Sequence, residues 1–124
     1  MRKGPAGRRD GAPPVSRRTS GAAARIDELR HRIDALDERL VVLLNARAGC
    51  ALAIGQLKEE LGLEVYQPDR EREVLAHVRR VNRGPLDDDA IARLFERIID
   101  EARRLERVAL ERARGAHSAP GPPD

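Results

Sequence analysis

A chain of 124 residues holds one compact domain, and no second catalytic domain fits within it. With one Phe, one Tyr and no Trp, its core must come from Leu, Ile, Val and Ala, which favours packed helices over sheets. The net charge of +3 is unevenly placed: residues 1–21 hold six basic side chains against Asp10 alone, leaving 18 basic and 20 acidic in the remainder, so the folded part does not call for a nucleic-acid partner.

The basic start, MRKGPAGRRDGAPPVSRRTSG, and residues 113–124 carry too little apolar surface to offset their ordering entropy, and both are expected to be disordered. The start lacks the apolar stretch of a secretory signal. An organellar transit segment is the alternative, against which its Gly and Pro content stands. No apolar run approaches the roughly 18 residues of a membrane span. The lone Cys50 has no disulfide or zinc-motif partner, which fits a reducing, cytoplasmic setting.

Residues 22–112 are expected to form an all-α domain. From Ile26 the apolar positions recur as Leu29, Ile33, Leu36, Leu40, Leu43, then Arg47, then Cys50, Ile54, Leu57 and Leu61. Steps of three and four alternate without a break, the signature of a heptad seam on one long helix ending near Gly62. Such a helix is about 60 Å long, and a monomer this small cannot cover it. A second helix is expected to open at Pro68 and carry Val74, Val78 and Val81 inward, closing at the Gly84 C-cap of NRGP. In LDDDAI, Asp87 is a good N-cap for a third helix that turns Ile91, Leu94, Phe95, Ile98, Ile99, Ala102, Leu105 and Ala109 inward. One long and two shorter helices per chain, all with apolar stripes, imply a homodimer that builds a shared bundle.

Charges interrupt this pattern. Arg47 fills a seam position, where an unpaired cation would cost several kcal/mol if buried. It calls for an anion, or else for an internal ion pair or a register-setting role. Lys58, about three turns on, returns to nearly the same face, roughly 16 Å away. The two could hold a small dianion between them, although Lys58 taken alone reads better as a solvated surface lysine. Arg70 and Glu71 open the second helix, where a solvated cap is the plain alternative. Glu106 continues the inward row of Phe95, Ile99 and Ala102, or marks its frayed end. Arg30 lies about 25 Å from Arg47 along the same rod and can join one small ligand with it only across an antiparallel dimer; otherwise it is a flanking surface charge. His31, His77 and His117 show no metal-ligand spacing, and Cys50 reads as a small apolar seam residue.

The segments LRHRIDALDERLVVLLNARAGCALAIGQLK, YQPDREREV and IARLFERIIDEARRLE, in this order, resemble the all-α, AroQ-class chorismate mutases over about residues 22–110. The resemblance implies an intertwined helical homodimer that rearranges chorismate to prephenate on the route to phenylalanine and tyrosine. The chemistry so implied needs no nucleophile, metal or cofactor, and the lack of a long apolar run gives no reason to expect a membrane. By that resemblance Arg47 and the partner subunit's Arg30 bind the two substrate carboxylates and Arg70 adds positive potential. Lys58 donates toward a carboxylate and the ether oxygen, Glu71 accepts from the ring hydroxyl, and Glu106 faces the ether oxygen. Three positions depart from the family pattern: Gln67 where Asp is common, Ala102 where Ser is common, and Glu106 where many bacterial-type members have Gln. A glutamate there suits the reaction only when protonated, because a carboxylate would repel the developing oxyanion. Three other functions stay open at this stage: an isochorismate pyruvate-lyase of the same fold, a non-catalytic helical dimerisation module, and a nucleic-acid binder acting through the basic tail of residues 1–21.

Overall fold

The computed structural model describes residues 14–64 and 67–118, all helix apart from the two connections and their caps. Helix α1 runs Pro14–Leu61, α2 Pro68–Val81 and α3 Asp88–Ser118. The chain divides into two compact units between Val42 and Leu43.

The first unit is the N-terminal part of α1. Helix formation reaches further than expected: residues 14–21, read from sequence as tail, are helical, and at the other end of the chain so are 113–118. Pro14 opens α1 where its missing N–H costs nothing. Each residue added to an existing helix then gains a hydrogen bond without a new nucleation step. Residues 1–13 and 119–124 lie outside the described residues. The seam residues Ile26, Leu29, Ile33, Leu36 and Leu40 are 39–54% exposed, so this chain by itself leaves the apolar stripe uncovered.

The second unit joins the rest of α1 to α2 and α3. Gly62 takes a left-handed φ of 69° and closes α1 in a Schellman motif: its N–H donates to Glu59 O (3.2 Å) and that of Leu63 to Lys58 O (2.8 Å). A residue with a Cβ would be strained at that φ. Helices α2 and α3 pack on each other, and Val78, Ala92, Ile99 and Ala102 are the buried apolar residues among those described. Ala92 was not expected there, whereas Val81, Leu94 and Leu105, expected inward, are exposed. For Leu94 and Leu105 the physical reason is that α2 covers one stripe of α3, while that helix carries apolar residues over a wider arc; Val81 is the last residue of α2.

The α2–α3 connection differs from the expected glycine cap. Asn82 is the C-cap, its N–H donating to Val78 O, and Gly84 takes φ 71° two residues later. The Asn82 side chain then organises the turn: Nδ2 donates to Leu86 O (2.8 Å) and Asp88 Oδ1 (2.9 Å), and Oδ1 accepts from the Gly84 N–H (3.1 Å). Asp87 caps α3 as expected, accepting from the Ala90 N–H at 2.7 Å. Asn82→Ala removes three hydrogen bonds at one half-buried point and should cost about 1–3 kcal/mol, read as a lower thermal midpoint. An unchanged midpoint would show that the connection is held by other means.

One expectation, drawn from the lack of an unbroken apolar run, is corrected on length and composition alone. The helix segment Thr19–Leu61 does meet the length and composition of a membrane span. Residues 40–57, LVVLLNARAGCALAIGQL, carry the single charge of Arg47, and the alanines and Cys50 add to the hydropathy of their Leu, Val and Ile, which a search for an unbroken apolar run misses. A helix buried on several sides by other helices has the same composition.

Candidate active site

Within the second unit a cavity of about 260 Å³ opens between the last turns of α1, the first turn of α2 and the middle of α3. Helical spacing delivers its lining. Arg47, Cys50, Ile54 and Lys58 repeat on one face of α1, Glu71 shares a row of α2 with Val74, and Ile99, Arg103 and Glu106 share a row of α3. Five of the six residues singled out from sequence therefore meet in one place: Arg47, Lys58, Arg70, Glu71 and Glu106. The sixth, Arg30, belongs to the N-terminal unit and is exposed.

The cations differ in what already holds them. Arg47 is half-buried and has no ion-pair partner among the described residues, so none of their acids neutralises its charge. Lys58 is also half-buried, and its Nζ donates to Gln67 Oε1 at 3.1 Å. Because Gln67 is neutral, the contact orients the ammonium without cancelling it, which is the consequence of having Gln rather than Asp at that position. Arg70 is exposed and pairs with Glu73 along its own helix at 3.2 Å. The Glu71 carboxylate pairs with Arg103 of α3. Four cations thus line the cavity against two acids, an excess suited to a small dianion.

Glu106 lies against α1. A Cβ added at Gly55 would sit 3.5 Å from Glu106 Oε2, so alanine would just fit there, whereas a larger side chain would push the carboxyl away. Burial raises the Glu106 pKa above the ordinary carboxylate range, and the positive charges of Lys58 and Arg103 pull it back only in part.

Sequence reasoning did not select Arg103, Gly55 or Cys50 for the site. Arg103 was legible from its spacing to Ile99 and Glu106, but the inward row was drawn through Ala102 instead. Cys50, read as a seam residue, is exposed and lines the cavity. Gly55 carries no side chain to notice, and only the approach of Glu106 reveals it.

The sequence profile of the type II chorismate mutases matches residues 29–107, which include every residue discussed in this cavity. The bifunctional chorismate mutase/prephenate dehydratase of Pseudomonas aeruginosa is 42% identical over 83 residues, covering 63% of this chain and 23% of that protein. This chain therefore spans about a quarter of the length of such bifunctional relatives. Among solved structures, chorismate mutase (Form II) of Thermus thermophilus superposes with a TM-score of 0.66 at 38% identity, over 67% of this chain and 94% of that one. The Helicobacter pylori chorismate mutase, solved in complex with prephenate, gives 0.65 at 30% identity over 71% and 96%. Matching profile, sequence and three-helix architecture together, the chain belongs to the type II chorismate mutase family.

Proposed function

We propose that this chain catalyses the rearrangement of chorismate to prephenate. The observation that carries the reading is the convergence of Arg47, Lys58, Arg70, Glu71 and Glu106 on one small cavity with an excess of positive charge. In the reaction the ether C–O bond breaks as a C–C bond forms within the same molecule, and the developing negative charge falls on the ether oxygen. The protein's task is to hold a dicarboxylate in its reactive conformer and to place donors where that charge appears. Arg47, with no ion-pair partner among the described residues, takes one carboxylate. Lys58, oriented by Gln67, reaches a carboxylate and the ether oxygen; a protonated Glu106 donates to the same oxygen; Glu71 accepts from the ring hydroxyl, and Arg70 adds positive potential.

The second carboxylate is assigned to the partner subunit's Arg30 in an intertwined homodimer. Two observations support this. The uncovered stripe from Ile26 to Leu40 needs another apolar surface, and association buries each of its Leu and Ile side chains with a gain of about 1.5–3 kcal/mol when complete. The single-chain cavity also falls just below the roughly 300–1,000 Å³ of typical small-molecule sites, as expected if a second chain completes its wall. This use of α1 also accounts for its membrane-like composition, and the protein is assigned to the cytoplasm on its lone cysteine.

The test is incubation of the purified chain with chorismate, with prephenate identified as the product, and with isochorismate in parallel. Prephenate formation is the expected result. Salicylate and pyruvate from isochorismate would assign the chain to the lyase reaction instead, and inertness toward both would leave a helical interaction module.

A further inference from the structure

Among the described residues, Arg103 is the one cavity cation that forms an ion pair with an acid of a second helix. Its Nη2 pairs with Glu71 Oε2, joining α3 to α2, and the two side chains are only 31% and 28% exposed. The other pairs described outside α1 are more open, such as Arg79 with Asp89 (44% and 75%) and Arg70 with Glu73. An ion pair withdrawn from solvent is less screened and more sensitive to loss of one member than a surface pair. Arg103 also stands one helical turn before Glu106, so a single guanidinium lies close to both acids of a cavity that must admit a dianion.

We propose that Arg103 is a positioning residue of this site: paired with Glu71 across the α2–α3 interface, it offsets that carboxylate's charge against the incoming dianion and fixes it for the substrate hydroxyl. A carboxylate has a second oxygen for that outside donor while Oε2 holds the guanidinium. The inference rests on the chorismate mutase reading. The charged groups that face Glu106 among the described residues enter its consequence. Lys58 approaches from α1 and Arg103 from its own helix; Arg47, Arg70 and Glu71 line the same cavity; Glu59, Glu60 and Arg107 line the adjoining cavity that shares Gly55 and Glu106. Loss of Arg103 removes a positive charge that lowers the Glu106 pKa and uncovers the negative charge of Glu71, together with that of Asp100, whose Oδ1 lies 4.0 Å from Arg103 Nη1 on α3. Both changes favour the protonated form of Glu106.

The experiment is steady-state kinetics on chorismate across pH for wild type, Arg103→Leu and Arg103→Lys, with thermal melts to establish folding. Arg103→Leu should raise KM about tenfold or more, lower kcat much less, and carry activity to higher pH than wild type. Arg103→Lys should return the alkaline limb to its wild-type position, because it restores the charge. In a Glu106→Gln background, Arg103→Leu should still raise KM while the limb stays absent. A merely structural role would depress activity without moving the limb. A folded Arg103→Leu with wild-type KM and limb overturns the proposal. Should that variant not fold, Arg103→Gln keeps much of the side-chain length without the charge and is judged by the same two readouts. A wild type that forms no prephenate brings down the functional reading itself, and the proposal with it, whereas an active wild type with an indifferent Arg103→Leu sinks the proposal alone.

Discussion

Substituting alanine for Arg47 is expected to lower kcat/KM for chorismate by roughly three orders of magnitude. Removing one member of a desolvated, hydrogen-bonded charge pair costs about 2–5 kcal/mol, and about 4 kcal/mol corresponds to that factor. Arg47 stands at the upper end because it is half-buried on a seam with no ion-pair partner among the described residues, which on the proposed reading leaves the substrate carboxylate as its counter-charge. Arg30→Ala should be similarly impaired although Arg30 lies in the other unit of the chain. The informative measurement is a mixture of the two inactive variants after subunit exchange. If each site takes Arg47 from one chain and Arg30 from the other, a heterodimer contains one site with both arginines and one with neither. Random exchange makes half of the dimers mixed, so activity should recover to about a quarter of wild type. A mixture as inactive as its components would show that Arg30 does not cross between subunits.

Glu106 carries the second large effect. Its pKa is raised by burial against α1, with Lys58 and then Arg103 opposing the shift. Only the protonated carboxyl can donate to the ether oxygen, so kcat/KM should fall as pH rises through the Glu106 titration, approaching about tenfold per pH unit beyond it. Glu106→Gln supplies a permanent donor of the same shape and should abolish that limb. Coincident profiles for the two proteins would remove Glu106's proton from the mechanism. Stability should respond with the matching sign. A carboxyl whose folded pKa is raised contributes stability that is fully present below its unfolded pKa and lost as pH rises through the folded value. Glu106→Gln should therefore melt above wild type on the alkaline side of that window, and the difference should close on the acid side.

The helices were legible because their signals are local. The alternation of threes and fours from Ile26 to Leu61, Pro68 as a helix opener and Asp87 as a cap each act within a turn or two of chain, and the structure places helices accordingly. The ends of α1 and α3 were misjudged because composition measures whether a segment can bury itself, while helix extension from a formed helix needs little burial. The α2–α3 turn was misjudged because Asn82 acts through its side chain on Leu86, Asp88 and Gly84, a pattern that no single residue preference displays.

By itself, then, the sequence determined that the chain is helical, where its apolar faces lie, and that Arg47, Lys58, Arg70, Glu71 and Glu106 fall on rows capable of meeting. Helical periodicity turns position along the chain into position around an axis, so residues of one helix can be assigned to a face without knowing any neighbour. Tertiary structure alone decided which side chain answers which: Gln67 receives Lys58, Arg103 holds Glu71, and Gly55 leaves space for the Glu106 carboxyl. Those partnerships join different elements and depend on how closely the elements approach. Distance between elements is a property of packing that periodicity along one element does not contain.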